Sequence, residues 1–180
     1  MTEIMLGTKL PESGNVYTPS LPALEALPAA RELEREVFGC VPAQFGFCNG
    51  HTHSLGALEW HECPEINLAV TPLVLLLALR QDIVGGRVDS AKARAFYLPE
   101  GTAAVIYPGT LHFAPCAVGD EGFRCMVGLA KGTNLPLERP VPGGCLRAVN
   151  KWLLCHAERR DLIDSGACEG IDGENTVLVY

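Results

Sequence analysis

From Leu58 to Leu129 the chain is a succession of short apolar runs, each closed by a turn signal, and this punctuation constrains the fold more than any other feature. The runs are Ile66 to Val70, Leu73 to Leu79, Ala93 to Leu98, Ala103 to Tyr107, Leu111 to Ala117 and Phe123 to Leu129. Between them stand Pro72, Gly85-Gly86, Pro99-Glu100-Gly101, Pro108-Gly109 and Gly119-Asp120. Such runs are too brief for buried helices, and Gly and Pro supply the backbone angles of tight turns, so the segment predicts the strands of a sandwich or barrel. Nineteen glycines and 13 prolines in 180 residues keep turns dense throughout. The expected class is mainly β, with short peripheral helices.

A chain of 180 residues is sized for one domain. Residues 1–40 read as an N-terminal arm and short helix packed on the barrel, and residues 41–180 as the barrel with a C-terminal extension. Gly7, Pro11, Gly14 and Pro19 make residues 1–20 an irregular arm. Pro28 interrupts the helical spacing of Leu24 and Leu27, so a short helix is expected from about Ala29, ended by Gly39. Val41 to Gly56, rich in small and polar residues, reads as a long loop. Pro136 to Gly144 reads as a linker, and Leu146 to Ile163 as a helix or a strand followed by a helix.

Lys and Arg number 14 against 21 Asp and Glu, leaving a net charge of −7. That offers no basic field for a phosphate backbone, so nucleic acid is excluded as a partner. The longest apolar run, Leu73 to Leu79, falls far short of the ~20 residues that cross a bilayer. Met1 to Lys9 carries Glu3 and no basic stretch followed by an apolar block. A cytoplasmic protein without a membrane partner is expected. An exposed barrel edge predicts a homodimer, with the N-terminal arm as the exchanged element. The eight cysteines contain no Cys-x-x-Cys pair and read as reduced, mostly buried residues. Cys48, His51 and His53 form one alternative grouping for a soft metal.

Chemistry concentrates in Glu59-Trp60-His61-Glu62-Cys63-Pro64-Glu65. On a strand, the two-residue period puts Glu59 and His61 on one face, and Glu65 returns to that face after the turn implied by Pro64. Gly101 to Cys116 supplies a second block, in which the Pro108-Gly109 turn precedes His112. An exposed polar turn would explain the first block alone, and a core histidine the second. Their paired spacing predicts a metal site of Glu59, His61, Glu65 and His112.

The two blocks resemble the cupin motifs. In G-x5-H-x-H-x(3 or 4)-E-x6-G, Glu59 stands at the first histidine position, His61 at the second and Glu65 at the glutamate, with His53 and Pro72 at the flanking glycines. In G-x5-P-x-G-x2-H-x3-N, Gly101, Gly109 and His112 are in register, while Tyr107 and Cys116 take the proline and asparagine positions. The strings LEWHECPEIN, LHFAPC, AKGTNLPL, NKWLLCHAE and GIDGEN are similar to an uncharacterised bacterial cupin-like family. The resemblance implies a cupin-type jelly-roll β-barrel with one divalent metal per chain. For small single-domain members it implies keto-aldose isomerase, epimerase or lyase activity on sugars and sugar acids.

Two carboxylates and two imidazoles suit Mn, Fe, Zn, Ni or Co. Such an ion polarises the carbonyl of a small-molecule substrate and stabilises an enediolate as it forms. Proton transfer is expected of Glu65 or Glu59, with Lys131 or Tyr107 donating from the opposite wall. Lys131 shares the alternation of Cys125 and Val127, which would aim it into the barrel mouth. Asn150, Lys151, Trp152 and His156 either cover the site or pack as a tryptophan beside surface charges. A sugar or sugar-acid isomerase or epimerase is the leading expectation; a cupin lyase, an Fe-dependent oxygenase and a non-catalytic metabolite-binding cupin are the alternatives.

Overall fold

Proline and glycine, which the sequence uses as punctuation, also determine how the N-terminal segment meets the barrel. In the computed structural model, which describes residues 1–179, this segment forms α1 (Thr2–Leu6), β1 (Asn15–Thr18), α2 (Pro22–Glu25) and α3 (Pro28–Glu36). Pro28 therefore starts a helix: at the first helical position its missing N–H has no partner to lose and its φ is already suitable. The next strand, β2 (Ala43–Gly50), occupies the segment expected as a loop. Its small residues are a packing requirement. A Cβ at Gly46 would collide with the Thr18 carbonyl, and one at Gly50 with the Asn15 side chain, so only glycine lets β1 lie this close.

The barrel continues through β3 (Ala57–Trp60), β4 (Glu65–Ala69), β5 (Leu73–Leu79), β6 (Val88–Asp89), β7 (Arg94–Leu98), β8 (Ala103–Ile106), β9 (Thr110–Leu111), β10 (Cys116–Ala117) and β11 (Phe123–Ala130). One sheet has the order β1-β2-β11-β4-β8, and every pairing in it is antiparallel. A second has the order β10-β5-β7, with β9 also on β5. The chain runs from β4 in the first sheet to β5 and β7 in the second. It returns to β8, crosses again to β9 and β10, and comes back to β11. That alternation is the jelly-roll winding of a cupin barrel, as the sequence motifs imply. Leu73, Leu75 and Leu98 from one sheet meet Ile106, Phe123 and Leu129 from the other in the interior. Apolar side chains secure the arm outside: Met5, Leu24 and Phe38 pack on Phe45, Phe47 and Met126.

The C-terminal extension forms β12 (Leu146–Ala148), β13 (Lys151–His156), α4 (Arg160–Asp164) and β14 (Cys168–Asp172). These build a third sheet, β12-β13-β14-β6, with β3 on the other edge of β13. The strand carrying Glu59 is thus held by the extension, Leu153 opposite Glu59. Among the described residues, no helix is long and apolar enough to cross a membrane.

Candidate metal centre

Glu59 lies one residue from the end of β3 and His61 directly beyond it, so the strand period aims both the same way. Glu65 opens β4 after Pro64 turns the chain, and His112 follows β9. The four residues are buried, each with 9% or less of its surface exposed. One ligand atom each of Glu59, His61 and His112 falls within 4.8 Å of the others, the one such convergent group among the described residues. Glu65 Oε2 lies 3.0 Å from His112 Nε2 and 3.3 Å from His61 Nε2, so all four residues meet.

Backbone carbonyls fix which imidazole nitrogen faces inward. His61 Nδ1 donates to the Asn150 carbonyl at 2.7 Å, and His112 Nδ1 donates to the Thr110 carbonyl at 2.9 Å. Both Nε2 atoms are thereby turned toward the carboxylates, the orientation that outer partners impose on metal-binding imidazoles. His61 Nε2 is buried without a hydrogen bond, although Glu65 and Glu59 oxygens stand 3.3 and 3.6 Å away. A buried nitrogen left orphaned between two carboxylates is what a bound cation resolves, and the donor set suits Mn, Fe, Zn, Ni or Co. The residues fit the ion.

Protons occupy this role in the metal-free protein. Burial would raise the Glu59 carboxyl, but Lys151, His61 and His112 outweigh it and hold it at about 2. Glu65 is likewise held low against burial, by His112 and His61. Burial would lower His61, yet Glu59 and Glu65 raise it to about 10. For His112, Glu65 and Glu59 overcome burial and the opposing charge of His61, and the ring is raised.

Surrounding residues hold this group in place. Asn67 Nδ2 donates to Glu65 Oε1 at 2.9 Å, and the Cys125 thiol donates to Asn67 Oδ1 at 3.2 Å. Asn150 is in the left-handed region at φ 56°. Its Oδ1 accepts from the Glu62 N–H, and its Nδ2 donates to Cys63 Sγ and Thr133 Oγ1. Lys151 ion-pairs with Glu59 Oε2 and sits 6.0 Å from the Phe113 ring centre. Above the carboxylates opens a cavity of about 640 Å³, lined by Glu59, Glu65, Lys151, Tyr17, Phe113 and Arg159 among others. Tyr17 reaches it from β1, its hydroxyl accepting from Asn134 Nδ2 at 3.0 Å. Burial, Glu65, Glu59 and Cys48 raise that hydroxyl against the opposing Asn134 bond.

Two residues expected to donate protons do not reach the cavity. Tyr107 is 76% exposed: Ile106 on β8 points inward, so the next residue points out. Lys131 shares the parity of Cys125 and Val127, but β11 ends at Ala130 and the turn at Gly132 carries Lys131 to the surface. Of the cluster left open in the sequence, Asn150 and Lys151 belong to the site. Trp152 instead stacks on Trp60 with centroids 5.9 Å apart, and His156 Nε2 bonds the Gly173 carbonyl. The Cys48, His51 and His53 grouping does not converge: Cys48 joins the barrel core and His51 Nε2 donates to the Pro11 carbonyl. Tyr17 carried no signal in the sequence, because only the pairing of β1 with β2 brings it to the cavity.

Fold and site together define a cupin-type barrel with a buried two-glutamate, two-histidine group capable of holding a metal. Residues 1–176 match the family described as Domain of unknown function (DUF4867), and the chain belongs to that family. No curated protein matches the sequence. Hydroxypropylphosphonic acid epoxidase from S. wedmorenis is similar at TM-score 0.36 and 11% identity, over 48% of this chain and 41% of that one. An uncharacterised Klebsiella pneumoniae protein with a double-stranded beta-helix domain gives 0.37 and 14%, over 52% and 70%. A point mutant of Bacillus subtilis oxalate decarboxylase gives 0.38 and 12%, over 54% and 24%. The chain thus spans less than half the length of the epoxidase and about a quarter of the decarboxylase.

Proposed function

We propose that the protein is a divalent-metal enzyme that moves a proton beside the carbonyl of a small polar substrate, an isomerase or epimerase of sugars or sugar acids. The observation that carries this reading is the convergence of Glu59, His61, Glu65 and His112 beneath a cavity that also holds Lys151. When bound, the metal supplies Lewis-acid polarisation of a carbonyl and its adjacent hydroxyl. His61 and His112 would hold it through Nε2, and Glu59 and Glu65 would complete the set.

The carboxylate oxygens divide the remaining work. Glu65 is engaged on both sides, by Asn67 and by His112. Glu59 Oε1 faces His61, whereas Oε2 faces Lys151. Glu59 Oε2 is therefore the oxygen to accept the carbon-bound proton, with the Lys151 ammonium stabilising the charge that develops on the substrate. Tyr17, whose oxygen already accepts from Asn134, retains its own proton to donate to a substrate oxygen. These roles replace those expected of Lys131 and Tyr107.

Proton NMR of aldoses, ketoses and uronates in D₂O, with protein loaded in turn with Mn, Fe, Zn, Ni or Co, tests the reading. Deuterium entering the carbon next to the carbonyl, and stopping when the metal is chelated, is the expected result. Saturable binding of a sugar without exchange under any metal would instead make the protein a metabolite-binding cupin.

A further inference from the structure

Away from the metal centre, β13 uses both of its edges. β3 takes one edge from Trp152 to Cys155. β12 and β14 must therefore share the other, β12 antiparallel at Leu146 opposite Trp152, and β14 parallel from Cys168 opposite Leu154. Two strands on one edge meet end to end, and the residues that meet are cysteines. The Cys145 carbonyl accepts from the Leu153 N–H at 2.9 Å, one residue before the partner of Cys168. The Cys168 thiol donates to the carbonyl of Gly144, the residue before Cys145, at 3.5 Å.

We propose that Cys145 and Cys168 form a dithiol site that closes reversibly to a disulfide by exchange with a small-molecule disulfide such as oxidised glutathione. Both thiols are half-buried and pack against one apolar cluster, so the pair is ordered without being sealed from solvent. Cys168 also lines a cavity of about 650 Å³ formed with segment 136–144, which gives a small disulfide room to approach. The two cysteines are fixed beside neighbouring residues of β13, Leu153 and Leu154, with Cys168 Sγ against the residue before Cys145, a closeness that a disulfide requires of its two chains.

The exchange balances in two steps. One cysteine thiolate attacks a glutathione sulfur, forming a mixed disulfide and releasing one glutathione thiol. The second cysteine thiolate attacks the protein-side sulfur and releases the other glutathione. Two electrons pass from the protein pair to the reagent, and the two cysteine protons end on the two released thiols. The product joins the start of β12 to the start of β14 and fastens the end of segment 136–144. Burial, reinforced by Cys168, pushes the Cys145 thiol up to about 11, so exchange accelerates as the solution is made more alkaline.

Trypsin separates the three cysteines of this region, because Arg147, Lys151, Arg159 and Arg160 intervene. The full-length reduced protein is incubated with graded ratios of oxidised to reduced glutathione, acid-quenched, alkylated, digested and analysed by mass spectrometry. Exposed Cys40 reports, through its glutathione adduct, that the reagent has acted. The expected result is a peptide pair linked through Cys145 and Cys168, lost on reduction, with both thiols gone from the alkylated pool. Cys168→Ser should then accumulate a stable glutathione adduct on Cys145 that the unaltered protein does not retain. Alkylation of both cysteines while Cys40 carries glutathione, or a link from either to Cys155 in place of the other, overturns the proposal.

Discussion

Glu59 and His112 are backbone partners: the Glu59 N–H donates to the His112 carbonyl at 2.5 Å and the His112 N–H to the Glu59 carbonyl at 2.9 Å. Two segments far apart in sequence are clamped at the point where their side chains must converge. The ligand geometry is therefore a property of the barrel, in place before any ion arrives. This preorganisation is what allows a small barrel to hold a metal with little reorganisation.

Metal binding should release protons. His61 is raised to about 10 and His112 is also raised, so at neutral pH an incoming cation displaces protons from the rings. Calorimetric titration in buffers of different ionisation enthalpy should show net proton release, and affinity should weaken as pH is lowered. A binding enthalpy independent of buffer would contradict the protonated apo site.

The same shifts set the pH dependence of the metal-free protein. Glu59, lowered to about 2 from 4.5, contributes stability that is present above 4.5 and lost as pH falls toward 2. His61, raised from 6.5 to about 10, contributes stability that is present below 6.5 and lost as pH rises through 10. Melting temperatures across this range should peak, for this cluster, between those two flanks. Metal loading should flatten the alkaline decline, because the ion replaces the proton.

Lys151→Met should destabilise the metal-free protein more than the loaded one. It removes the cation on Oε2 of the Glu59 carboxylate, 11% exposed, a loss of up to about 3 kcal/mol for a well-buried pair and less here because Lys151 is 22% exposed and His61 still faces Oε1. A bound divalent ion supplies the missing positive charge. Equal losses in both states, measured by urea unfolding, would separate Lys151 from the metal centre.

Asn150 makes a conformational prediction. At φ 56° an alanine carries about 1 kcal/mol of backbone strain that glycine avoids, so Asn150→Ala should be less stable than Asn150→Gly. Both lose the side-chain bonds to Glu62, Cys63 and Thr133. The backbone carbonyl that orients His61 survives in either variant, so weaker metal binding should follow the strained one. Lys131→Ala and Tyr107→Ala, on the surface, should stay within about 0.5 kcal/mol of the parent and keep the metal.

The barrel and the convergence of Glu59, His61 and Glu65 were legible because each depends on local sequence, short apolar runs closed by turns in one case and a two-residue spacing in the other. The apolar runs from Ile66, Leu73 and Phe123 correspond to β4, β5 and β11, and Glu59, His61 and Glu65 meet as their spacing predicts. What escaped depends on long-range pairing. β2 looked like a loop because Gly46 and Gly50 lower strand propensity, yet they are glycines for the approach of β1. Tyr17 and Lys151 enter the cavity through pairings with β2 and β3 that no local pattern encodes. Lys131 misled for the complementary reason: its parity was right, but the strand stops one residue earlier.

The central claim is most directly tested by elemental analysis of the untagged protein after metal repletion, alongside His61→Ala and His112→Ala. The account predicts one divalent ion per chain in the parent, and its loss in both variants while each remains folded by circular dichroism. Full stoichiometry in either variant, or no metal in the repleted parent, would contradict it.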